Sequence, residues 1–238
     1  MASRLARLCF GANDPEALAR FWAGVLRRDV SPDDASFLPA TGRDIAISFV
    51  HVPGPKTRPN QMHLDITSSS REDQEGTVER VLELGGSHLD TGQSPEEDHV
   101  VLADPEGNEM CIIGPGNRFL ADTAQIGALS SDGSQAAGHF WSRALDWPLV
   151  WDQDEETAIQ SPGGGTKISW GGPPVREKIG ANRLHLDLLP EGDRAAEIDR
   201  LIGLGASILD SPSLHPGAVL LADPDGNELY VLDPEPAA

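Results

Sequence analysis

Positive charge is what this chain most lacks: 18 Lys and Arg stand against 38 Asp and Glu, a formal net charge of −20 over 238 residues. A surface that acidic repels phosphate backbones, which argues against nucleic acid and anionic membranes as partners. The field would favour a cationic ligand, but charge alone identifies none. Cysteine is scarce too. Cys9 and Cys111 are the only two, they form no metal or redox spacing motif, and they suggest a reducing compartment. No window approaches the run of about 20 apolar residues that a membrane helix needs. The stretch Met1-Ala-Ser-Arg-Leu-Ala-Arg lacks the sustained apolar segment of a secretory leader. The expectation is a cytoplasmic monomer or homodimer whose partner is a small molecule.

What is present is a duplication. Ala-Asp-Pro-Glu-Gly-Asn-Glu at 103–109 returns as Ala-Asp-Pro-Asp-Gly-Asn-Glu at 222–228, and His63-Leu-Asp65 returns as His185-Leu-Asp187. Phe21-Trp22 matches Phe140-Trp141, and Leu84-Gly-Gly-Ser matches Leu204-Gly-Ala-Ser, all at shifts between 119 and 122 residues. A repeat in one order at nearly one offset predicts two domains, 1–115 and 122–235, joined through Gly114–Ala124.

Each repeat reads as two smaller units of strand, helix and further strands. Leu5–Gly11 is a strand, and Asp14 caps a helix with Pro15 at its first position. Leu18, Phe21, Trp22 and Val25 make a helical stripe that needs a sheet to cover. Ala35–Pro39 and Asp44–Val50 follow as strands. The second unit opens with strand Gln61–Thr67. Its helix shows Val78, Val81 and Leu82 on one face and ends at Gly85-Gly86. Strands at Ser87–Asp90, His99–Ala103 and Glu109–Ile113 complete it. The second repeat places helices near Ser134–Leu145 and Asp193–Leu204.

A strand with His-x-Asp, a helix ending Leu-Gly-(Gly/Ala) and a hairpin Asp-Pro-(Glu/Asp)-Gly-Asn-Glu resemble the glyoxalase-like branch of the vicinal oxygen chelate superfamily. Glyoxalase I, extradiol dioxygenases and bleomycin-resistance-type binding proteins belong to that superfamily. The resemblance spans both repeats. It implies an α+β chain of tandem glyoxalase-like domains, with four βαβββ modules forming curved mixed sheets around cavities. How the four modules pair stays open: module one faces module two or module four. The hairpins Asp104–Asn108 and Asp223–Asn227 read as turn chemistry, with Pro presetting φ, Gly supplying positive φ and Asp binding backbone N–H groups.

In metal-dependent members of that superfamily, four strand positions supply His, Glu or Gln ligands. Counting from the helix aromatics, these positions fall here at Arg7, Ser48, His63 and Cys111, and at Ile126, Ser169, His185 and Tyr230. One ligand of four survives in each copy, and Cys111 beside His63 makes only two, short of a zinc site. Arg7 has no lone pair to give. His51, His88, His99, His139 and His215 do not recur at matched positions. The expectation is no metal and no cofactor; the alternative is a divalent metal at His63 or His185.

Residues i and i+2 share a strand face. Gln61, His63 and Asp65 therefore face together, as do Arg183, His185 and Asp187, Glu109 and Cys111, and Glu228 and Tyr230. An Asp beside a His can orient it for acid–base work, and it can equally serve only to satisfy buried backbone groups. Phe21, Trp22, Phe140 and Trp141 read as core. Trp151 and Trp170 can floor an apolar cavity or lie elsewhere. Ser161–Lys167 lacks the spacing of a phosphate loop and reads as a hairpin loop. Arg7 against Ile126, Cys111 against Tyr230 and Gln61 against Arg183 are unlike pairs, so one cavity is expected to function and the other to support.

Three functions remain. The first is metal-free binding or sequestration of a small organic molecule, with Arg7, Ser48, Cys111, Trp151, Trp170, Ser169, Arg183 and Tyr230 as candidate contacts. The second is a lyase, isomerase or dioxygenase-type enzyme in which His63-Asp65 or His185-Asp187 is catalytic, the His being base or metal ligand. The third is an oligomerisation scaffold with no pocket.

Overall fold

The computed structural model describes residues 3–92, 94, 97–211 and 213–233. The predicted domain boundaries at 1 and 235 lie outside them. The first repeat runs β1 (Ser3–Ala12), α1 (Pro15–Leu26), β2 (Phe37–Leu38), β3 (Ile47–His51), β4 (Met62–Ile66), α2 (Arg71–Glu83), β5 (Ser87–His88), β6 (His99–Ala103) and β7 (Glu109–Ile113). The second runs β8 (Ile126–Ser131), α3 (Gln135–Leu145), β9 (Leu149–Gln153), β10 (Glu156–Gln160), β11 (Lys167–Trp170), β12 (Leu184–Pro190), α4 (Arg194–Leu204), β13 (Ser207–Ile208), β14 (Val219–Ala222) and β15 (Glu228–Val231).

The sheets do not follow the repeats. One sheet is ordered β13-β14-β15-β12-β1-β3-β2 and the other β5-β6-β7-β4-β8-β11-β10-β9. Module one therefore pairs with module four, and module two with module three. The seams are antiparallel, β1 on β12 and β4 on β8. The connections 52–61 and 171–183 carry the chain from one sheet to the other.

Strand alternation separates core from cleft. Leu184, Leu186 and Leu188 of β12 join the buried apolar cluster, as do Met62, Leu64 and Ile66 of β4. The intervening His185, Asp187, His63 and Asp65 face the other way. The helices close the core. Leu18, Phe21, Trp22 and Val25 of α1 are buried as the stripe requires, and so are Phe140 and Trp141 of α3. The predicted α2 stripe is corrected in part: Val81 is fully buried, but Leu82 is 38% exposed. All four helices carry the side-chain N-caps their sequences offer, from Asp14, Ser70, Ser134 and Asp193.

The repeated hairpin ties α1 and α3 each to the module that follows it. Asp104 Oδ1 accepts from the Glu106 and Asn108 N–H groups at 2.9 and 2.8 Å, and Oδ2 accepts from Asn108 Nδ2 and from Trp22 Nε1 at 2.8 and 3.1 Å. Asp223 repeats the arrangement with Asp225, Asn227 and Trp141. Gly107 and Gly226 sit at φ 86° and 83°, where a side chain would be strained. These motifs hold the fold together and lie outside the clefts. No helix among the described residues is long and apolar enough to cross a membrane.

Candidate functional site

Each antiparallel seam presents one cleft, built from equivalent strand positions. In the first sheet, β1 meets β12 with Cys9 opposite His185 and Arg7 opposite Asp187. Ser48 of β3 lies beside Cys9, and Tyr230 of β15 beside Asp187. In the second sheet, His63 of β4 faces Ser130 of β8, Cys111 of β7 lies beside Asp65, and Ser169 of β11 lies beside Ser130. Register thus corrects the first-strand positions. The residue facing His185 is Cys9 rather than Arg7, and the residue facing His63 is Ser130 rather than Ile126, which is core.

The two clefts have opposite character. The first is filled by its own chain. His215, from the segment between β13 and β14, brings Nε2 to 3.2 Å from His185 Nε2 and to 3.2 Å from Asp187 Oδ2. The Tyr230 ring packs on both imidazoles at 4.6 and 4.8 Å between centroids. Cys9, Ser48, His185, Asp187, His215 and Tyr230 are all buried. Arg7 donates from Nε to Asp187 Oδ2 at 2.7 Å. Burial pushes the Asp187 carboxyl up, but the two imidazoles outweigh it and hold the group well below the usual carboxylate range. Burial, and then the Asp187 charge, raise the Cys9 thiol.

The second cleft is open. The His63 side chain is 36% exposed where that of His185 is 1% exposed. His63 Nε2 lies 3.3 Å from Asp65 Oδ1, and the Ser130 hydroxyl donates to Asp65 Oδ2 at 2.6 Å. Burial opposes charge on His63. The hydrogen bonds and fields of Asp65 and Cys111 together outweigh it and raise the imidazole to about 10. The same row continues to the sheet edge, Ser169 facing Ala158 of β10 and Ala158 facing Trp151 of β9. A cavity of about 300 Å³ there is lined by Phe119, Trp151, Ala158 and Ser169, among others.

Trp170 packs in the core against α3 and also reaches the lining of that cavity. Arg183 donates to the Gly11 and Gly54 carbonyls and pairs with Glu106. The carboxylates expected beside the histidines are corrected: Glu109 is held by Lys56 and Glu228 by Lys178. A cavity of about 370 Å³ between the crossing connections contains Lys56, Arg176 and Arg183, each already ion-paired, with Glu109, Asp132 and Glu106.

Two donor groups can be named for a metal. Cys9, His185, Asp187 and His215 bring four ligand atoms within 4.8 Å of one another, and His63, Asp65 and Cys111 bring three. The metal-free expectation counted neither Cys9 nor His215. Cys9 had a signal, since it shares the face of Arg7 two residues away. His215 had none, because it lies in an irregular segment between β13 and β14, outside any strand periodicity.

A comparison with curated protein sequences gives no match. Among solved structures, the fold is similar to glyoxalase I from Zea mays, at TM-score 0.65 and 15% identity, over 98% of this chain and 92% of that one. A glutamate-to-glutamine mutant of the maize glyoxalase I gives TM-score 0.63 and 17% identity, over 97% and 93% of the two chains. A protein described as a putative dioxygenase from Bacillus subtilis gives 0.60 and 13%, over 96% and 84%. These likenesses concern the fold. The model of the glyoxalase-like domain family matches residues 7–113 and again residues 128–232. The chain therefore belongs to the glyoxalase-like domain family, as two tandem copies within the vicinal oxygen chelate superfamily.

Proposed function

We propose that this protein binds a small organic anion with an apolar body, without a metal, in the open cleft of the second sheet. The observation that carries the reading is the open His63–Asp65 pair: the His63 side chain is a third exposed, its Nε2 lies 3.3 Å from Asp65 Oδ1, and Asp65 and Cys111 outweigh burial to hold the imidazole above its ordinary value. A fixed cation on the cleft floor selects a carboxylate or phenolate. Trp151, Phe119 and Ala158 supply an apolar wall along the same face. Ser130 and Ser169, 3.3 Å apart, give neutral hydrogen-bonding groups between the two. Asp65, Cys111, Lys167 and Glu109, the last paired with Lys56, are the other ionisable groups on this face of β4, β7 and β11, and Glu156 of β10 lines the cavity beside them. The first cleft is closed to a ligand by His215 and Tyr230.

The contact of His63 with Asp65 and Cys111 favours a second reading, an enzyme of the lyase, isomerase or dioxygenase type. An imidazolium there would give up a proton rather than take one, so His63 would act as general acid. A divalent metal on His63, Asp65 and Cys111 would need the imidazole proton to leave first.

Calorimetric titration with small aromatic carboxylates and phenolates tests the binding reading. Binding is expected at one site, lost in His63→Gln and kept in His185→Gln. The opposite dependence refutes it, and release of a changed product replaces it with the enzyme reading.

A further inference from the structure

The buried cluster of the first sheet is incomplete as a set of protein hydrogen bonds. A neutral imidazole carries a single N–H. Here two imidazoles aim Nε2 at Nε2 across 3.2 Å, and each Nε2 also faces Asp187, at 3.4 Å from Oδ1 for His185 and 3.2 Å from Oδ2 for His215. Asp187 is fully buried, and its Oδ1 has no hydrogen-bond partner. An unmet carboxylate oxygen in such a place costs free energy unless something positive sits against it. Cys9 adds a sulfur, and all four donor atoms lie within 4.8 Å of one another.

We propose that Cys9, His185, Asp187 and His215 bind one zinc ion in a closed, structural site. One thiolate, two imidazoles and one carboxylate make a zinc donor set. A tetrahedral zinc with N and O ligands at about 2.0–2.1 Å has ligand–ligand edges of about 3.3–3.4 Å. The contacts of 3.2–3.4 Å fall on that scale. A thiolate and a carboxylate neutralise the ion, which suits burial without solvent. Arg7, bonded to Asp187 Oδ2 at 2.7 Å, would fix the ligating carboxylate from behind.

The set differs from the one the family resemblance implies. Ser48 of β3 and Tyr230 of β15, which stand at ligand positions the resemblance implies, take no part. Asp187, two residues along β12, and His215, from outside the strands, replace them. The ion would staple the segment between β13 and β14 over the cleft, and it would leave no position for substrate. Its role is to hold the fold, and the open cleft of the second sheet remains the binding site.

Cobalt substitution tests this directly. The chain has two cysteines, so in a Cys111→Ser protein Cys9 is the only thiol. Titrating cobalt(II) into that metal-free protein should give a thiolate-to-cobalt charge-transfer band and tetrahedral visible bands, saturating at one equivalent. Zinc should abolish both at one equivalent. His215→Gln in the same background should weaken cobalt binding at least about a hundredfold, above the loss typical of a second-shell partner. His63→Gln should leave it unchanged. The proposal is overturned if the folded Cys111→Ser protein shows no charge-transfer band, since its cluster is intact even where Cys9 or His215 variants fail to fold. It is also overturned if His63→Gln removes the band while His215→Gln keeps it.

Discussion

Replacing Asp104 by Asn tests the structural role of the hairpin at the level of single hydrogen bonds. The carboxylate accepts four: two backbone N–H groups at Oδ1, and Asn108 Nδ2 and Trp22 Nε1 at Oδ2. An Asn side chain keeps one oxygen for the backbone pair and sets an NH₂ group against two donors. Each buried donor left unmet costs about 1–3 kcal/mol. Burial raises the Asp104 carboxyl, so removing its charge returns part of that cost. The net expectation is a loss of about 2–4 kcal/mol. Trp22→Phe removes one of the two mismatched donors. The Asn substitution in that background should therefore cost about 1 kcal/mol less than in the native chain. Urea unfolding of the four proteins, read as midpoint and slope, measures both numbers. A loss below about 1 kcal/mol, or strict additivity of the two substitutions, would show that Asp104 does not anchor α1 through this network.

The pH dependence of stability should report His63. Its folded value, about 10, lies above the ordinary imidazole value, so its contribution is fully present below about pH 6.5 and is lost as pH rises towards 10. His63→Gln should flatten the fall in urea midpoint over that range, and an unchanged profile would remove the imidazolium from the binding reading. Arg7→Met strips Asp187 of its guanidinium and should cost about 3 kcal/mol in metal-free protein, by thermal or urea unfolding. A cost near zero would mean that the carboxylate is already compensated. Gly138→Ala should destabilise by about 1–3 kcal/mol despite the better helix propensity of Ala. The added carbon would stand 1.9 Å from Thr157 Oγ1 beneath Trp170, and a gain in melting temperature would refute that packing.

Local chemistry made most of the elements legible in the sequence. The cap at Asp14, the helix starts near Ser134 and Asp193, the stripe Leu18-Phe21-Trp22-Val25 and the twin Asp-Pro-x-Gly-Asn turns each act within a few residues, and each holds. The pairing of modules was not legible, because antiparallel seams join strands far apart in sequence: Cys9 meets His185 and His63 meets Ser130. Counting back from Phe21-Trp22 gave Arg7 where register gives Cys9, because a spacing within one copy carries no information about how β1 aligns with the distant β12. His215 carried no periodic signal, for it reaches its partners from outside any strand. Glu109 and Glu228 obeyed the i, i+2 rule along the strand and still missed the clefts. Lys56 and Lys178 claim their carboxylates, and a strand pattern says nothing about what a neighbouring loop brings.

The unlike pairs between the copies gain a physical reason once the seams are known. The relevant comparison is between the two clefts, and at equivalent positions it sets Cys9 against Ser130, Ser48 against Ser169, Tyr230 against Cys111 and His185 against His63. The histidine and the serine are common to both, and the differences are Cys9 against Ser130 and Tyr230 against Cys111. In the first cleft the bulk of Tyr230 and the reach of His215 exclude solvent, which makes an unpaired Asp187 oxygen expensive and favours a bound cation. In the second, Cys111 stands where the first has the Tyr230 ring and the His63 side chain is a third exposed, so the same His-x-Asp pair becomes water-accessible. The one large change of side-chain volume, Tyr230 against Cys111, together with the reach of His215, thus separates a sealed cluster from a water-accessible one. Both outcomes can sit in one chain because the connections 52–61 and 171–183 give each repeat a share of both clefts. Neither repeat could be cut away to leave an intact cleft behind. Residues 1–115 carrying Cys111→Ser, expressed alone, should therefore show neither the cobalt charge-transfer band nor ligand binding, and retention of either would contradict the crossed pairing.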